Sequence, residues 1–254
     1  TKQKICIIGD GLSGLVSALT INHLQTVEVN LIVKKASKNV DKRTTAISDT
    51  NLKFLKDSIP GLGKKFFWPS KNIDLFYETY NEKINFLNLN EKNVNLMHVF
   101  ENDKVKNILF KEVSKKKIKI IRKKIANLNE LKKYDLIILC LGKNSKIYDK
   151  IINQRSINKN YKEIAITGYV KHKIKNLNTS QFFLKQGPLA ILPFSKNSFS
   201  FVWSVNKEFY KDHELKIKNI IKNKIIEILK IRQKISITNI QSYPVELGLR
   251  KNYY

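Results

Sequence analysis

Ile5-Cys6-Ile7-Ile8-Gly9-Asp10-Gly11-Leu12-Ser13-Gly14-Leu15-Val16-Ser17-Ala18-Leu19 is the stretch on which the reading of the fold turns. Ile5 to Ile8 is a short apolar run of the kind that fills a buried parallel strand. Gly9, Gly11 and Gly14 follow in the order G-x-G-x-x-G, and Leu12 to Leu19 reads as a helix with small residues at Ser13, Ser17 and Ala18. The pattern predicts a strand, a tight turn and a helix whose N-terminal amides are open to an anion. Gly9 permits the turn, Gly11 lets a diphosphate approach the backbone, and Gly14 lets helix and strand touch. Gly9, Gly11, Ser13 and Gly14 are therefore candidate cofactor contacts. A glycine-rich turn in an unrelated fold could carry the same letters. Placement directly after a strand and before a helix favours dinucleotide binding.

The chain has 254 residues, enough for one large domain or two smaller ones, and its 42% of hydrophobic residues can fill a sizeable core. No apolar run approaches the ~20 residues of a membrane span. No basic n-region precedes an apolar segment and cleavage site. These features lead to the expectation of a cytoplasmic protein, either soluble or peripheral on the inner face of the membrane. Cys6 and Cys140 sit in apolar runs and read as small core residues rather than a disulfide. His23, His98, His172 and His213 show no metal-ligand spacing, so no metal is expected. The net charge of +27 has three readings. A lysine-rich coding bias comes first, because lysines are spread along the whole chain. Attraction to an anionic membrane surface comes second. Nucleic-acid binding comes third, since no aromatic-plus-basic module accompanies the charge. The densest basic run, Lys115 to Lys124, is interrupted by Ile118, Ile120 and Ile121, as in a strand with one solvated face.

Val27 to Val33 reads as a second parallel strand. In a dinucleotide fold its end usually carries an acid, about 20 residues past the glycines, to hold the adenosine ribose. Lys34 stands there, followed by Lys35. An ammonium accepts no hydrogen bond from a hydroxyl; it can meet a phosphate or be solvated. Asp41-Lys42-Arg43-Thr44-Thr45-Ala46-Ile47-Ser48 comes next and leads into a helical pattern. Ile73–Tyr77 and Ile84–Leu89 flank a polar break and read as a hairpin. Met97 to Asn102 precedes a helix with Val105, Ile108, Leu109 and Val113 on one face. Leu136 to Leu141 is another buried strand, closed by Gly142-Lys143-Asn144-Ser145. Gln181 to Phe194 contains Gly187-Pro188-Leu189-Ala190-Ile191-Leu192-Pro193, and Ser198 to Val205 alternates as a half-buried strand. Glu214 to Ile231 reads as an amphipathic helix with a lysine-rich outer face. It covers a sheet or lies near a membrane surface. Ile235–Ile240 and Tyr243–Leu247 read as strands.

Taken in order, seven of these segments resemble the flavin-dependent aromatic hydroxylases of ubiquinone biosynthesis, the polyprenylphenol hydroxylases of the para-hydroxybenzoate hydroxylase-like group. The glycine turn matches. Asp41 to Ser48 is similar to D-x-R-T-T-A-L-S, Leu96 to Asn102 to G-Y-V-V-E-N, and Tyr134 to Ser145 to Y-D-L-L-I-G-A-D-G-A-N-S. The Gly187 to Phe194 and Ser198 to Val205 segments, and the Tyr243 to Leu247 strand, match G-P-L-A-L-L-P-L, S-L-V-W-T-V and F-P-L-x-L. The resemblance implies an α/β fold: a Rossmann-like FAD-binding domain (residues 1–70 and 98–157) interleaved with a mixed β-sheet substrate domain (71–97 and 158–254). It implies FAD as cofactor, NAD(P)H as co-substrate, O2, and a polyprenylated phenol to be hydroxylated. Arg43 matches the arginine that reaches the flavin diphosphate, as a guanidinium fork can. Its alternative is an exposed loop charge. Glu101 and Asn102 match the helix start near the ribityl chain, although Asn102 can also simply cap that helix. Gly142 matches the glycine after the strand. No residue is assigned a catalytic role.

The departures matter too. Leu141 stands where the family has an aspartate associated with the flavin and nicotinamide sites, Leu139 replaces a glycine, Tyr148 an arginine, and His98 a tyrosine. Family members also continue with a G-D-A-A-H segment and further helices, so the resemblance leaves out their C-terminal third. These departures motivate a second expectation: a non-catalytic accessory or scaffold subunit of a quinone-biosynthesis complex. A homo-oligomer that completes the site is the corresponding expectation for a catalytic version.

Overall fold

The computed structural model describes residues 2–34, 40–80, 82–125, 128–142, 156–232 and 234–250. In chain order the elements begin with β1 (Gln3–Ile8), α1 (Leu12–Ile21), β2 (Val27–Val33), β3 (Thr44–Ile47), α2 (Asp49–Ser58) and β4 (Trp68–Ser70). Then come β5 (Asn72–Glu78), β6 (Lys83–Asn90), β7 (Met97–Glu101), α3 (Asn102–Lys115), β8 (Lys119–Arg122) and β9 (Leu136–Leu139). The chain continues with β10 (Ser156–Lys171), β11 (Thr179–Leu184), β12 (Gly187–Ser195) and β13 (Ser198–Asn206). Last are α4 (Lys207–His213), α5 (Ile217–Ile228) and β14 (Ser236–Arg250).

The opening run forms the centre of a parallel four-stranded sheet in the order β8-β2-β1-β9. Ile5 pairs with Val29 on one side and with Leu136 on the other. Alternation sends Ile5, Ile7, Val29 and Leu31 into a core shared with Leu15 and Leu19 of α1 and Val105, Leu109 and Val113 of α3. Cys6, Ile8 and Ile32 face the other way, toward Ile125, Leu131 and Tyr134. A β1 strand buried on both faces has to be apolar throughout, which is why Ile5–Ile8 carries no polar residue. Cys6 and Cys140 are free thiols. Burial pushes Cys6 up to about 11, so it stays protonated as a small apolar residue.

The second layer is a seven-stranded sheet in the order β14-β10-β13-β12-β11-β5-β6, antiparallel except where β11 meets β5. One face carries Ile166, Phe182, Leu189, Phe201 and Trp203, and the apolar side of α5 (Ile217, Ile221, Ile225, Ile228) packs on it. The Trp203 indole donates to the Gly187 carbonyl at 3.2 Å. The amphipathic helix thus uses its apolar side inside the protein. It begins at Ile217, because Glu214–Lys216 winds as a tighter 3-10 turn. The two strands expected over 235–247 are one: β14 runs unbroken through Asn239, whose φ of +55° makes a bulge between Thr238 and Gln241. A small antiparallel sheet, β3-β7-β4, joins the two layers. Thr44 and Ser200 hydroxyls meet at 2.5 Å, and Ser70 donates to Thr179 at 2.8 Å across the same junction.

On the opposite face of the larger sheet, Tyr77, Ile84, Phe86, Leu87, Leu89 and Phe183 are exposed. Tyr77 is in register with both Ile84 and Phe183, so the strands β6, β5 and β11 present one apolar surface. Among the described residues no helix is long and apolar enough to cross a membrane, and no cluster of three or more His, Cys, Asp or Glu side chains could hold a metal.

His172 follows β10, is buried, and packs against Phe199 with ring centres 5.2 Å apart. Its Nδ1 accepts from the Ile174 amide at 3.0 Å, while Nε2 has no partner. Burial pulls its pKa below the ordinary 6.5. The unfolded chain therefore binds this proton first, so the contribution of neutral His172 is complete above about pH 6.5 and is lost as pH falls toward its folded value. A His172→Gln variant is expected to lose less stability between pH 7 and pH 5 than the parent. Urea midpoints measured across that window check this, and parallel slopes for the two proteins would refute it.

Candidate functional site

The C-terminal ends of β1, β2 and β9 and the start of α1 surround a cavity of about 740 Å³, a size that suits a small-molecule ligand. Such a crevice beyond the carboxyl ends of parallel strands is where this topology binds ligands. Gly9, with φ at +126°, donates its amide to the Ile32 carbonyl at 2.9 Å and turns the chain away from β1. A Cβ there would lie 2.1 Å from the Cys140 carbonyl oxygen, so β9 passes directly beneath the turn. A Cβ on Gly14 would lie 2.0 Å from the Gly9 carbonyl oxygen. At Gly11 a Cβ would meet nothing within 4 Å: the backbone is bare because the space beside it is open.

Gly11 is the N-cap of α1, with no side chain capping the helix and no acidic residue in its first turn. The first turn of a helix leaves its amides without intrahelical partners, and the helix dipole adds a partial positive charge. Lys34, Lys106, Lys123 and Lys124 line the same cavity. Lys106 pairs with Asp10 at 3.1 Å and Lys123 with Glu130 at 2.8 Å. Lys34 and Lys124 have no ion pair among the described residues. Ile8, Ile32, Val33, Leu139 and Leu141 give the cavity an apolar wall. This is a cation-rich pocket with an uncapped helix end and one greasy side, suited to a dianionic diphosphate with flat groups attached.

The structure brings Gly9, Gly11, Ser13, Lys34 and Gly142 to this one cavity. Gly142 has φ at +72° with open space beside it. Gly14 lies behind, as the point of contact between α1 and the turn. Arg43 and Asn102 do not line it. The Arg43 guanidinium forms a fork with Asp41, Nε to Oδ1 and Nη2 to Oδ2, both at 2.8 Å, and lies 5.2 Å from the centre of the Tyr243 ring. Asn102 donates its side-chain amide to Asp41 Oδ2 at 3.0 Å, accepts from Thr45 at 2.7 Å, and donates its backbone amide to the Arg43 carbonyl. Burial raises the Asp41 carboxyl, but the bonds from Arg43 and Asn102 outweigh it and hold the group below the usual carboxylate range. Arg43 is raised chiefly by the same bond. Tyr169, which donates to the Arg43 carbonyl at 3.4 Å, is pushed up by burial and then by Glu101, Asp103 and Asp41. Asn102 and Lys106 stand one turn apart on α3, so this polar knot borders the cavity without entering it. Glu101 pairs with Lys104 at 2.5 Å.

Lys106, Lys123 and Lys124 were not singled out as site residues from the sequence. The available signal was their position: Lys123-Lys124 follows β8 at the same end of the sheet as Lys34, and Lys106 lies one turn past Asn102. Asn144, Ser145, Tyr148 and Lys35 lie outside the described residues.

No protein-family model matches the chain, and no curated protein does. Solved structures do match in fold. The flavin-dependent halogenase CmlS superposes with a TM-score of 0.73 at 14% identity, over 99% of this chain and 51% of that one. The p-nitrophenol 4-monooxygenase PnpA from Pseudomonas putida DLL-E4 gives 0.72 at 13% identity, over 98% and 69%. CtdE, solved in complex with FAD, gives 0.61 at 13% identity, over 81% and 60%. The chain thus spans about half the length of the first of these. The likeness establishes the fold: a Rossmann-like parallel core joined to a mixed sheet, as in flavin-dependent monooxygenases.

Proposed function

We propose that the chain binds FAD with the diphosphate on the glycine turn and hydroxylates an aromatic ring using NAD(P)H and O2, the substrate being a polyprenylated phenol of ubiquinone biosynthesis. The observation that carries this is the uncapped N-terminus of α1, with open space at Gly11, inside a cavity lined by four lysines. FAD supplies the redox chemistry when bound; the protein supplies binding, orientation and exclusion of water. The amides at the start of α1, with the ammoniums of Lys34 and Lys124 that are unpaired among the described residues, would hold the diphosphate. Ile8, Ile32 and Leu139 give an apolar wall. The fold neighbours, a flavin-dependent halogenase, a monooxygenase and a protein solved with FAD, support flavin chemistry. The exposed apolar surface of β5, β6 and β11 suits a prenyl tail, which has no polar group to satisfy.

The test is direct. Purified protein is expected to be yellow, or to quench FAD fluorescence on titration, and to oxidise NAD(P)H faster when a prenylated phenol is added. A colourless protein that never takes up FAD refutes the proposal. Lys34 and Leu141, at positions where an acid is usual, favour a second reading: a scaffold subunit of a quinone-biosynthesis complex. That reading expects co-purification with hydroxylases and no flavin.

Arg43 offers a sharper check. Asp41 now neutralises it, so an arriving diphosphate has to compete with a carboxylate already in place. Asp41→Asn keeps the size of the side chain and releases the guanidinium. FAD is expected to bind about tenfold tighter, equivalent to ~1.4 kcal/mol, and Arg43→Ala in the same background is expected to abolish the gain. Unchanged affinity in Asp41→Asn would show that Arg43 stays with its own cluster.

A further inference from the structure

A second cavity, of about 500 Å³, shares no residue with the glycine pocket. One side is a single face of α2: Asp49, Leu52, Lys53, Lys56 and Asp57 recur at helical spacing. Lys64 and Lys65 approach from the tight turn that precedes β4. Phe67 and His98 form the floor, with Asn95 and the exposed Pro69 beside them. Leu52, Phe67 and His98 are each at least nine-tenths buried, so the floor is part of the protein's packed interior rather than a surface dip.

Two features of this cavity are left without ion pairs or hydrogen bonds among the described residues, although Lys65 lies over the Phe66 ring, 5.2 Å from its centre. Lys53, Lys56, Lys64 and Lys65 stand round the opening without an ion pair among those residues, against two carboxylates. One of these, Asp49, is already bound to His98 Nε2 at 2.7 Å. At the floor, His98 Nδ1 is a buried polar atom with no hydrogen-bond partner. Buried polar groups normally find a partner, and those left without one call for an explanation. Four lysines round one concave space give it a positive potential that favours the entry of an anion.

We infer that this cavity is a binding site for a small amphipathic anion, a phosphate or carboxylate carried on a flat apolar body. The lysine ammoniums meet the anionic group at the rim, and Leu52, Phe67 and Pro69 receive the apolar part. His98, tethered by Asp49, sits between the two. The site is separate from the proposed flavin site in its residues, so each can fail without the other.

Phenyl phosphate is the probe, with inorganic phosphate and phenol as its two halves. The chain has four histidines, so imidazole signals in a carbon-proton correlation spectrum are few, and His98→Gln identifies the His98 signal by its disappearance. Phenyl phosphate is expected to move that signal and to bind at least tenfold tighter than either half. Lys53→Glu with Lys64→Glu, both exposed positions, is expected to weaken it at least tenfold while FAD titration of the glycine pocket is unchanged. Phenyl phosphate binding no tighter than inorganic phosphate, a His98 signal that stays still, or indifference to the charge reversal would each overturn the inference.

Discussion

Replacing Gly9 or Gly14 with alanine is expected to destabilise the fold by roughly 3 kcal/mol or more, the upper range of overpacking and left-handed strain combined. Neither position can relax cheaply. At Gly9 the new methyl would lie 2.1 Å from the Cys140 carbonyl oxygen, and φ at +126° is strained for any side chain. At Gly14 the methyl would lie 2.0 Å from the Gly9 carbonyl oxygen. Both obstacles are backbone, and both belong to the centre of the parallel sheet: Cys140 donates its amide to Ile8, and Gly9 donates to Ile32. Moving either atom breaks the ladder that holds β1 between β2 and β9. Urea unfolding followed by the fluorescence of Trp68 and Trp203 measures the loss. A Gly14→Ala protein within about 1 kcal/mol of the parent, the ordinary range for point substitutions, would mean that helix and turn do not meet this closely.

Gly11→Val is expected to do the reverse: leave the fold and abolish the ligand. Gly11 has φ −72° and ψ 174°, extended backbone that a β-branched residue adopts readily. A Cβ there meets nothing within 4 Å. Glycine to an apolar residue at an N-cap costs only about 1 kcal/mol, so the urea midpoint moves little. The added isopropyl group occupies the space in which a diphosphate approaches the amides of α1. FAD affinity is expected to fall on the order of a hundredfold, or ~2.7 kcal/mol, as read by fluorescence quenching. If Gly11→Val binds FAD as the parent does, the diphosphate is not on this turn. The three glycines thus separate by experiment into two that serve the fold and one that serves the ligand, though their letters in the sequence are the same.

The strand–turn–helix at the N-terminus was legible because its constraints are local. A tight turn, a close approach and an apolar run each depend on neighbours a few residues away. The hairpin at 73–89 and the helix from Asn102 were legible for the same reason: alternation and helical spacing report which face is buried. The two strands read at 235–240 and 243–247 proved to be one, because the left-handed φ of Asn239 interrupts the alternation without ending the pairing with β10. The Glu214–Ile231 helix was read by its apolar side, but only the larger sheet shows that this side is already covered.

The candidate site divides along the same line. Lys34 could be placed by counting from the glycines, since β2 runs parallel to β1 in fixed register. Arg43 matched a motif, yet its direction was set by the Asp41 carboxylate two residues back, held in turn by Asn102 from the far end of β7. A charge chooses its partner by distance after folding, and a motif does not carry that choice.

By itself, then, the sequence determined a glycine turn between an apolar strand and a helix, and with it a Rossmann-like core, because steric limits on the backbone act within a few residues. The tertiary structure alone decided which lysines share a cavity, where Arg43 points, and that a second cavity forms over His98. Those outcomes depend on side chains brought together from segments far apart in the chain, whose Coulomb interactions and burial exist only once the sheets have packed.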